Sequence, residues 1–372
     1  MEDLDQRGLY TPQLESDACG IGLIAHLEKS YSHQIVSDAL LMLENMEHRG
    51  ACGCDPESGD GAGILIHVPH RLYASEDLGF ELPRVGGYGV GCFFLPKGQD
   101  AEAISDIIRD TAVEFDLELI GSRDVPVDSS ILGEASSESE PDIINFFFVS
   151  KEGLSGKLLD KKLLILRKVA NHRVVAKFPH HRHDFYVASL SSRTIVYKGQ
   201  LNSVQVRAYF EDLRNPMLES AVALVHSRFS TNTIPRWKLA QPFRLIAHNG
   251  EINTIEGNKN WWSAKEKTME SEEFSTEDLA LMYPLFNSTS SDSAVFDNIV
   301  EFLVHSGRSL PHAMMMMIPE AWQNASHIPK HKRDFYEYHE ALMGALGWSS
   351  EYVFYRWHPR RRHIGSQWLT PL

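Results

Sequence analysis

The chain has 372 residues, of which 43% are hydrophobic and 10% aromatic, enough apolar material for one large buried core or two small ones. Its 50 acidic and 36 basic side chains give a formal net charge of −14, which argues against general nucleic-acid binding because such binding needs a basic surface. Four cysteines in so long a chain predict no disulfide framework, and the apolar runs are too short to span a bilayer. We therefore expect a globular cytoplasmic protein without a membrane segment.

Strand and helix patterns alternate along the chain. Runs of buried or alternating apolar residues predict strands at 20–27, 62–68, 88–95, 143–150, 221–226 and 243–247. Helical spacing predicts helices at 33–47, 101–115 and 154–170, and mostly helical structure from 254 to 343. Residues 185–190 and 194–197 read as the two strands of a hairpin, and the polar segment 124–142 as a loop. Mixed strands and helices around one core predict an α+β fold.

Residues 226–253 place polar side chains at the ends of two predicted strands. Asn249 and Gly250 follow the second of these strands, and on spacing alone an Asn-Gly pair favours a type I′ hairpin turn. The alternative is an oxyanion hole, because an Asn amide and a glycine N–H can both point at one developing negative charge. Arg228 follows the first strand and is open to two interpretations, a surface ion pair or a bidentate clamp on a substrate carboxylate.

Two further groups of metal-binding side chains occur in the sequence. Cys52 and Cys54 form a C-x-C pair, but no second ligand pair completes a tetrahedral set, so we expect no resident metal there. His180, His181 and His183 form a histidine-rich turn that is predicted to be a solvated loop, with metal binding as the alternative.

Six motifs, in order along the chain, strongly resemble the amino-terminal class II glutamine amidotransferase domain of the large subunit of glutamate synthase. They are DACGIGLIAHL, MEHRGACGCDPESGDGAGIL, SLSSRTIVYKG, HSRFSTNTIPRWKLAQPFRLIAHNGEINTIEGN, SDSAVFDN and MMMIPEAW. The likeness runs from about residue 9 to 343. It implies a four-layer αββα sandwich of the N-terminal-nucleophile type, in which a cysteine attacks the side-chain amide of glutamine and releases glutamate and ammonia.

The resemblance makes Cys19 the catalytic nucleophile and residues 1–18 a propeptide that is removed. An N-terminal cysteine carries a thiol with a pKa near ~8.5 and an α-amine with a pKa near ~7.7–8.0, so it holds both a nucleophile and a base for its proton. Taken alone, Cys19 would more often be a small buried core residue. The motifs around it favour the catalytic role.

The resemblance also implies roles for the remaining site residues. Asn249 and Gly250 would stabilise the oxyanion. Arg228, with Arg49, would hold the α-carboxylate of glutamine, and Asp292 would hold its α-ammonium group. Arg49 has a second interpretation, as an arginine at the negative end of a helix.

The family pattern predicts that the amidotransferase domain occupies residues 19–343. Residues 344–372 diverge from it and carry four arginines, which suggests a frame-shifted tail and a sandwich without its last strands. FMN, an iron–sulfur cluster and a small subunit are implied for the synthase half, and no cofactor for this chain. Two hypotheses follow: an active glutaminase domain, or an inactive fragment that retains glutamine or partner binding.

Overall fold

A computed structural model describes residues 20–51, 55–229, 233–287, 290–326, 328–343, 347–349, 352–355 and 364–367. Cys19, the predicted propeptide 1–18 and most of the predicted tail lie outside these ranges. The helices, numbered in chain order, are α1 (His33–Asn45), α2 (His70–Ser75), α3 (Asp100–Glu114), α4 (Glu134–Glu138), α5 (Lys157–Lys177), α6 (Gln205–Tyr209), α7 (Glu256–Glu266), α8 (Thr276–Met282), α9 (Asp292–His305), α10 (Leu310–Met317) and α11 (Lys330–Met343).

The strands are numbered in the same way. They are β1 (Ile21–Ala25), β2 (Ala62–His67), β3 (Gly89–Leu95), β4 (Leu117–Asp124), β5 (Asp142–Ser150), β6 (Tyr186–Ser191), β7 (Thr194–Gly199), β8 (Val222–Ser227), β9 (Ile246–His248), β10 (Glu251–Thr254), β11 (Gly347–Ser349), β12 (Tyr352–Tyr355) and β13 (Ile364–Gln367).

The first sheet has the order β1-β8-β2-β7, and its strands pair antiparallel. Every residue of β8 is buried, as expected for a strand with a neighbour on each side. The register places Ile21 opposite His226 and Ala62 opposite Ser227. The beginnings of β1 and β2 therefore meet the end of β8 at one edge of the sheet.

The second sheet has the order β4-β5-β3-β6 and is also antiparallel. The predicted hairpin of β6 and β7 is wrong, because β6 pairs with β3 while β7 pairs with β2 of the first sheet. The turn between these strands is fastened to α5 by the buried carboxylate of Asp160. This carboxylate accepts hydrogen bonds from the Ser192 backbone N–H at 2.7 Å and from Arg193 Nε at 2.9 Å. The chain thus crosses from one sheet to the other at a fixed point.

Helices cover both sheets, which confirms the predicted α+β sandwich. α1 packs on β1 and β8, whereas α3 and α5 pack on strands of the second sheet. The largest apolar cluster contains Ile64 and Val225 of the first sheet together with Phe94 and Phe147 of the second. A second cluster fills the space between the second sheet and the pair α3 and α5.

The residues after β9 form a mostly helical layer. Apolar side chains of α7 to α10 pack with part of α5 in one cluster. β9 pairs with β12, and β10 pairs with β11, so short segments of the predicted tail are strands in the structure. Among the described residues, no helix combines the length and the apolar composition that crossing a membrane requires.

Candidate functional site

The candidate site lies at the sheet edge where β1, β2 and β8 meet. The backbone N–H of Ser227 donates to the carbonyl oxygen of Gly20 at 2.7 Å, and the backbone N–H of Arg228 donates to the carbonyl oxygen of Gly61 at 2.9 Å. These two bonds extend the pairing of β8 with β1 and β2 by one residue, to Gly20 before β1 and Arg228 after β8. Gly20 and Gly61 therefore lie against Ser227 and Arg228, although these residues are far apart in the sequence.

Gly20 is packed against Asn249 so closely that no other residue fits there without movement. A Cβ on Gly20 would lie 2.4 Å from the carbonyl oxygen of Ser227 and 2.9 Å from Asn249 Nδ2. Ordinary van der Waals contacts of carbon atoms are longer, about 3.5–4.0 Å. Because Gly20 has no side chain, the start of β1 can lie beside the Asn249 amide. Cys19 precedes Gly20 in the chain and lies outside the described residues.

Arg228 is half-buried and held on two sides. Its Nη1 donates to the backbone carbonyl of Asp60 at 3.0 Å, and its Nη2 donates to Thr233 Oγ1. These bonds use two of the five N–H groups of the guanidinium. Burial lowers the pKa of Arg228, and the neighbouring carboxylate of Asp60 opposes that effect. The side chain is fixed in direction and retains N–H groups with which a carboxylate could pair.

The structure contradicts the hairpin interpretation of Asn249 and Gly250. β9 ends at His248 and β10 begins at Glu251, but the two strands pair with different partners in different sheets. Asn249 is exposed, while the residue before it is buried. The Asn-Gly pair is therefore a connection that leaves a polar amide at the surface of the site.

Two buried side chains support the backbone before Asn249. His226 Nε2 donates to the carbonyl oxygen of His248 at 2.9 Å, and Gln241 Nε2 donates to the same oxygen at 3.0 Å. Gln241 Oε1 also accepts from the backbone N–H of His248 at 2.9 Å. Both polar groups of the His248 backbone are consequently satisfied inside the protein, which fixes where the Asn249 connection begins.

The His248 imidazole links this connection to α9. Its Nδ1 donates to the carbonyl oxygen of Gly250 at 3.0 Å, and Ser293 Oγ lies 2.7 Å from its Nε2. A carbonyl oxygen only accepts, so Nδ1 carries the proton and Nε2 accepts from the Ser293 hydroxyl. Burial lowers the pKa of His248 to about 4 and that of His226 to about 3. Both rings are neutral at pH 7 and act as fixed hydrogen-bond groups.

Asp292 directly precedes Ser293, whose hydroxyl contacts the His248 imidazole. It is the first residue of α9, about half exposed, and its Oδ1 lies 3.4 Å from Lys259 Nζ. Within the described residues no hydrogen bond or ion pair joins Asp292 directly to Arg228. Arg228 and Asp292, which are predicted to bind opposite ends of glutamine, therefore lie on separate elements, one after β8 and the other at the start of α9.

Arg49 directly precedes Gly50, which lies against Ser227 at the end of β8. It ends a short 3-10 turn after α1, and its side chain is half-buried. A Cβ on Gly50 would lie 2.8 Å from Ser227 Oγ, so this loop passes directly beside the end of β8. The loop that follows Arg49 thus lies beside Ser227 and Arg228, and the backbone N–H of Ala51 donates to the carbonyl oxygen of Arg228 at 3.3 Å.

A buried ionic cluster holds the segment before β9 against α9. Arg244 Nη2 lies 2.7 Å from Asp297 Oδ2, and Arg244 Nε lies 3.1 Å from Glu301 Oε2. Arg167 of α5 also pairs with Glu301, and the backbone N–H of Leu245 donates to Asp297 Oδ1 at 3.0 Å. This cluster fixes α9, and with it Asp292, relative to the strand that ends before Asn249.

The sequence interpretation missed the supporting residues His226, His248 and Ser293. Each belongs to a motif that it did use: the first opens HSRF, the second precedes Asn-Gly, and the third follows Asp292. A histidine at the end of each of two predicted buried strands was the available signal. This signal could not be interpreted from the sequence, because periodicity along one segment does not show that the two strands contact each other.

The chain is a two-sheet α+β sandwich with polar groups at one end of the first sheet, and comparison with known proteins identifies its class. The family described as "Glutamine amidotransferases class-II" matches residues 19–353. The chain belongs to the class-II glutamine amidotransferases, a family of glutamine-hydrolysing enzymes.

The individual relatives are glutamate synthases. The chain is 44% identical over 339 residues to the glutamate synthase (NADPH) large chain of Bacillus subtilis, covering 91% of this chain and 22% of that protein. It is 44% identical over 342 residues to the glutamate synthase (NADH) of Schizosaccharomyces pombe, covering 89% and 16%. A ferredoxin-dependent glutamate synthase of Antithamnion is 43% identical over 336 residues, covering 88% and 22%. The chain thus spans about a fifth of the length of these relatives.

Proposed function

We propose that this chain hydrolyses the side-chain amide of L-glutamine to glutamate and ammonia, with Cys19 as an N-terminal nucleophile. The observation that carries the proposal is the contact between Gly20 and Asn249. Cys19 is the residue before Gly20 in the chain, and consecutive Cα atoms are about 3.8 Å apart. The family match also begins at residue 19.

The chemistry follows from the groups that an N-terminal cysteine carries. The α-amine takes the thiol proton, and the thiolate attacks the carboxamide carbon of glutamine. The carbonyl oxygen becomes negative in the tetrahedral intermediate, and we assign the Asn249 amide and the Gly250 N–H as its donors. The proton passes to the leaving nitrogen, ammonia departs, and a γ-glutamyl thioester remains. Water then attacks the thioester and restores the thiol.

Substrate orientation is assigned to charges at the two sides of the site. Hydrogen bonds to Asp60 and Thr233 hold the Arg228 guanidinium in a fixed orientation, which suits bidentate pairing with the α-carboxylate. We propose that Arg49 assists it and that Asp292 pairs with the α-ammonium group. Opposite charges at opposite ends fix the direction of the amino acid, so that its side-chain amide faces the nucleophile.

In the full-length context we propose the role of the glutaminase part of a cytoplasmic glutamate synthase. The ammonia would then be used by the synthase part, which the relatives carry in the length that this chain does not span. FMN, an iron–sulfur cluster and a small subunit are proposed only for that part. The support for this context is the similarity to glutamate synthases over about 90% of this chain.

The test measures ammonia and glutamate release from glutamine by the purified chain, with mass spectrometry of its N-terminus. We expect a mature N-terminus at Cys19, no turnover in Cys19→Ala, and normal turnover in the matched thiol control Cys54→Ser. Turnover that survives in Cys19→Ala would refute the mechanism. Retention of residues 1–18 together with glutamine binding but no hydrolysis would instead support a binding fragment.

A second pair of variants tests the oxyanion assignment. Asn249→Ala is expected to lower kcat about 10²–10³-fold with little change in KM, because its amide acts on charge that exists only in the transition state. The melting temperature of the variant is measured in parallel, because the Asn249 side chain also interacts with the buried His226. Asn324→Ala, at another exposed asparagine, is the matched control and should keep wild-type kinetics. Equal kcat in the two variants would remove Asn249 from the mechanism.

A further inference from the structure

Three side chains that can bind a metal ion lie together beside α3 and α5, the helices that cover the second sheet. Asp100 is the first residue of α3, and His180 and His181 lie in the short turn that follows α5. Asp100 Oδ2 is 3.2 Å from His180 Nε2 and 3.0 Å from His181 Nε2. The three potential ligand atoms all lie within 4.8 Å of one another.

His181 lies between two carboxylates. Its Nδ1 is 3.3 Å from Asp184 Oδ2, and its Nε2 is 3.0 Å from Asp100 Oδ2. A carboxylate only accepts, and a neutral imidazole carries one N–H, so the ring can donate to only one of the two. When Nδ1 donates to Asp184, the Nε2 lone pair faces Asp100 and is available to a metal ion.

The arrangement around His181 is typical of metal sites. A histidine that binds a metal usually donates its second ring N–H to a carboxylate, which orients the ring and raises its basicity. Asp184 occupies that position. Ligand atoms about 2.0–2.1 Å from a tetrahedral zinc ion are separated from each other by about 3.3 Å. The separations of 3.0 and 3.2 Å between Asp100 and the two histidines are close to this value.

We propose that Asp100, His180 and His181 form a binding site for a divalent transition-metal ion, with zinc as the best-matched ion. Two imidazole nitrogens and one carboxylate oxygen suit zinc, and water would complete the coordination. His180 is 61% exposed, so an ion can reach the site from solvent. The proposed metal site lies beside α3 and the turn after α5, whereas Gly20 and Arg228 lie at the first sheet and Asn249 follows β9.

The bound ion would connect two elements that are distant in sequence. Asp100 begins α3 and the histidines follow the end of α5, and these two helices pack against each other on the second sheet. An ion that binds only the folded state stabilises it in proportion to the logarithm of its concentration above Kd. The proposed site is therefore a structural cross-link of the α3 and α5 layer.

The test uses the full, tag-free chain after treatment with a chelator, titrated with zinc chloride by calorimetry and followed by thermal unfolding. We expect one equivalent to bind at this site and the melting temperature to rise. His181→Ala and His180→Ala should each weaken zinc binding at least about 10-fold, and Asp184→Asn about 10-fold or more because the ring loses its orientation.

His183→Ala is the matched control. The ring of His183 faces Arg182 Nε at 3.0 Å and Lys238 Nζ at 3.3 Å, so it stands among cations and outside the cluster. This variant should bind zinc as the wild type does. The proposal is overturned if the wild type binds no zinc, or if His180→Ala and His181→Ala both bind zinc as tightly as the wild type does, which is the result expected if cysteine thiols are the ligands.

Discussion

Asn249 Nδ2 lies 2.9 Å from the point at which a side chain on Gly20 would begin. The two residues are far apart in the sequence, because Gly20 directly precedes β1 and Asn249 directly follows β9. Their contact depends on a glycine, because the carbonyl oxygen of Ser227 is closer still to the same point, at 2.4 Å. The close approach of the start of β1 to the Asn249 amide therefore depends on the missing side chain of Gly20.

Gly20→Ala should damage both activity and stability. The new methyl group must push β1 away from Ser227, at a cost of about 1–3 kcal/mol in the free energy of unfolding. A displacement of about 1 Å between reacting groups lowers the rate about 10²-fold. Gly257→Ala, in α7 where nothing lies within 4 Å of the new methyl, is the control and should keep full activity. Glutaminase assays and urea unfolding of both variants test this, and a fully active Gly20→Ala would contradict it.

Arg228→Lys and Asp292→Asn should weaken glutamine binding through opposite ends of the substrate. A lysine cannot form the planar two-bond pairing with a carboxylate, so we expect KM to rise at least about 10-fold in Arg228→Lys with a smaller change in kcat. Asp292→Asn removes the charge opposite the α-ammonium group and should raise KM similarly. Steady-state kinetics at varied glutamine concentrations measure both effects. A fall in kcat at constant KM would assign these residues to chemistry instead of binding.

His226 should make the protein less stable in acid. Burial lowers its pKa to about 3, whereas an unfolded histidine has a pKa near ~6.5. The unfolded state therefore binds the proton more readily, and stability that is present above pH ~6.5 is lost as the pH falls toward the folded pKa. At pH 5 the loss from this residue is about 2 kcal/mol.

The measurement compares the free energy of urea unfolding at pH 7 and pH 5. His226→Gln keeps a donor for the His248 carbonyl but does not titrate in this range, so its decrease should be smaller than that of the wild type by about 2 kcal/mol. Identical decreases in the two proteins would show that His226 does not carry the acid sensitivity.

Glu301 is expected to be essential to the stability of α9. Burial alone would raise the pKa of Glu301, but Arg167 and Arg244 beside it hold that pKa at about 2. Glu301→Gln removes the carboxylate that pairs with Arg167 and one of the two that pair with Arg244, and breaking a buried ion pair typically costs about 3–5 kcal/mol. Asp334→Asn breaks the exposed pair with Lys330 and should cost at most about 0.5 kcal/mol. Chemical denaturation separates the two cases, and equal losses would contradict the ranking.

Cys92 should be inert toward alkylation in the native protein. It is 1% exposed, and burial raises the pKa of its thiol to about 12. At pH 8 its thiolate population is about 10³-fold below that of a free cysteine, so iodoacetamide should modify it only after unfolding in urea. Peptide mass spectrometry reports the labelled positions. Rapid modification of Cys92 under native conditions would show that this part of the core opens readily.

Much of the fold was readable from local pattern. The helix predicted at 33–47 is α1 (His33–Asn45), and the helix predicted at 101–115 is α3 (Asp100–Glu114). β4 (Leu117–Asp124) was missed because it is an edge strand with several charged and half-buried residues, which weakens the apolar signal. The helix predicted to end at 170 continues to Lys177 through a polar stretch that lacks a stop signal.

The amino-acid sequence by itself determined the family, the α+β class and the residues that can do chemistry, because motifs and apolar periodicity are properties of neighbouring residues. Only the tertiary structure decided which strand ends meet. It placed β6 and β7 in different sheets, brought the Asn249 connection beside Gly20, and buried His226 and His248 so that their pKa values are lowered. The reason is that pairing between distant segments, and the burial that shifts a pKa, arise from contacts that no short stretch of sequence contains.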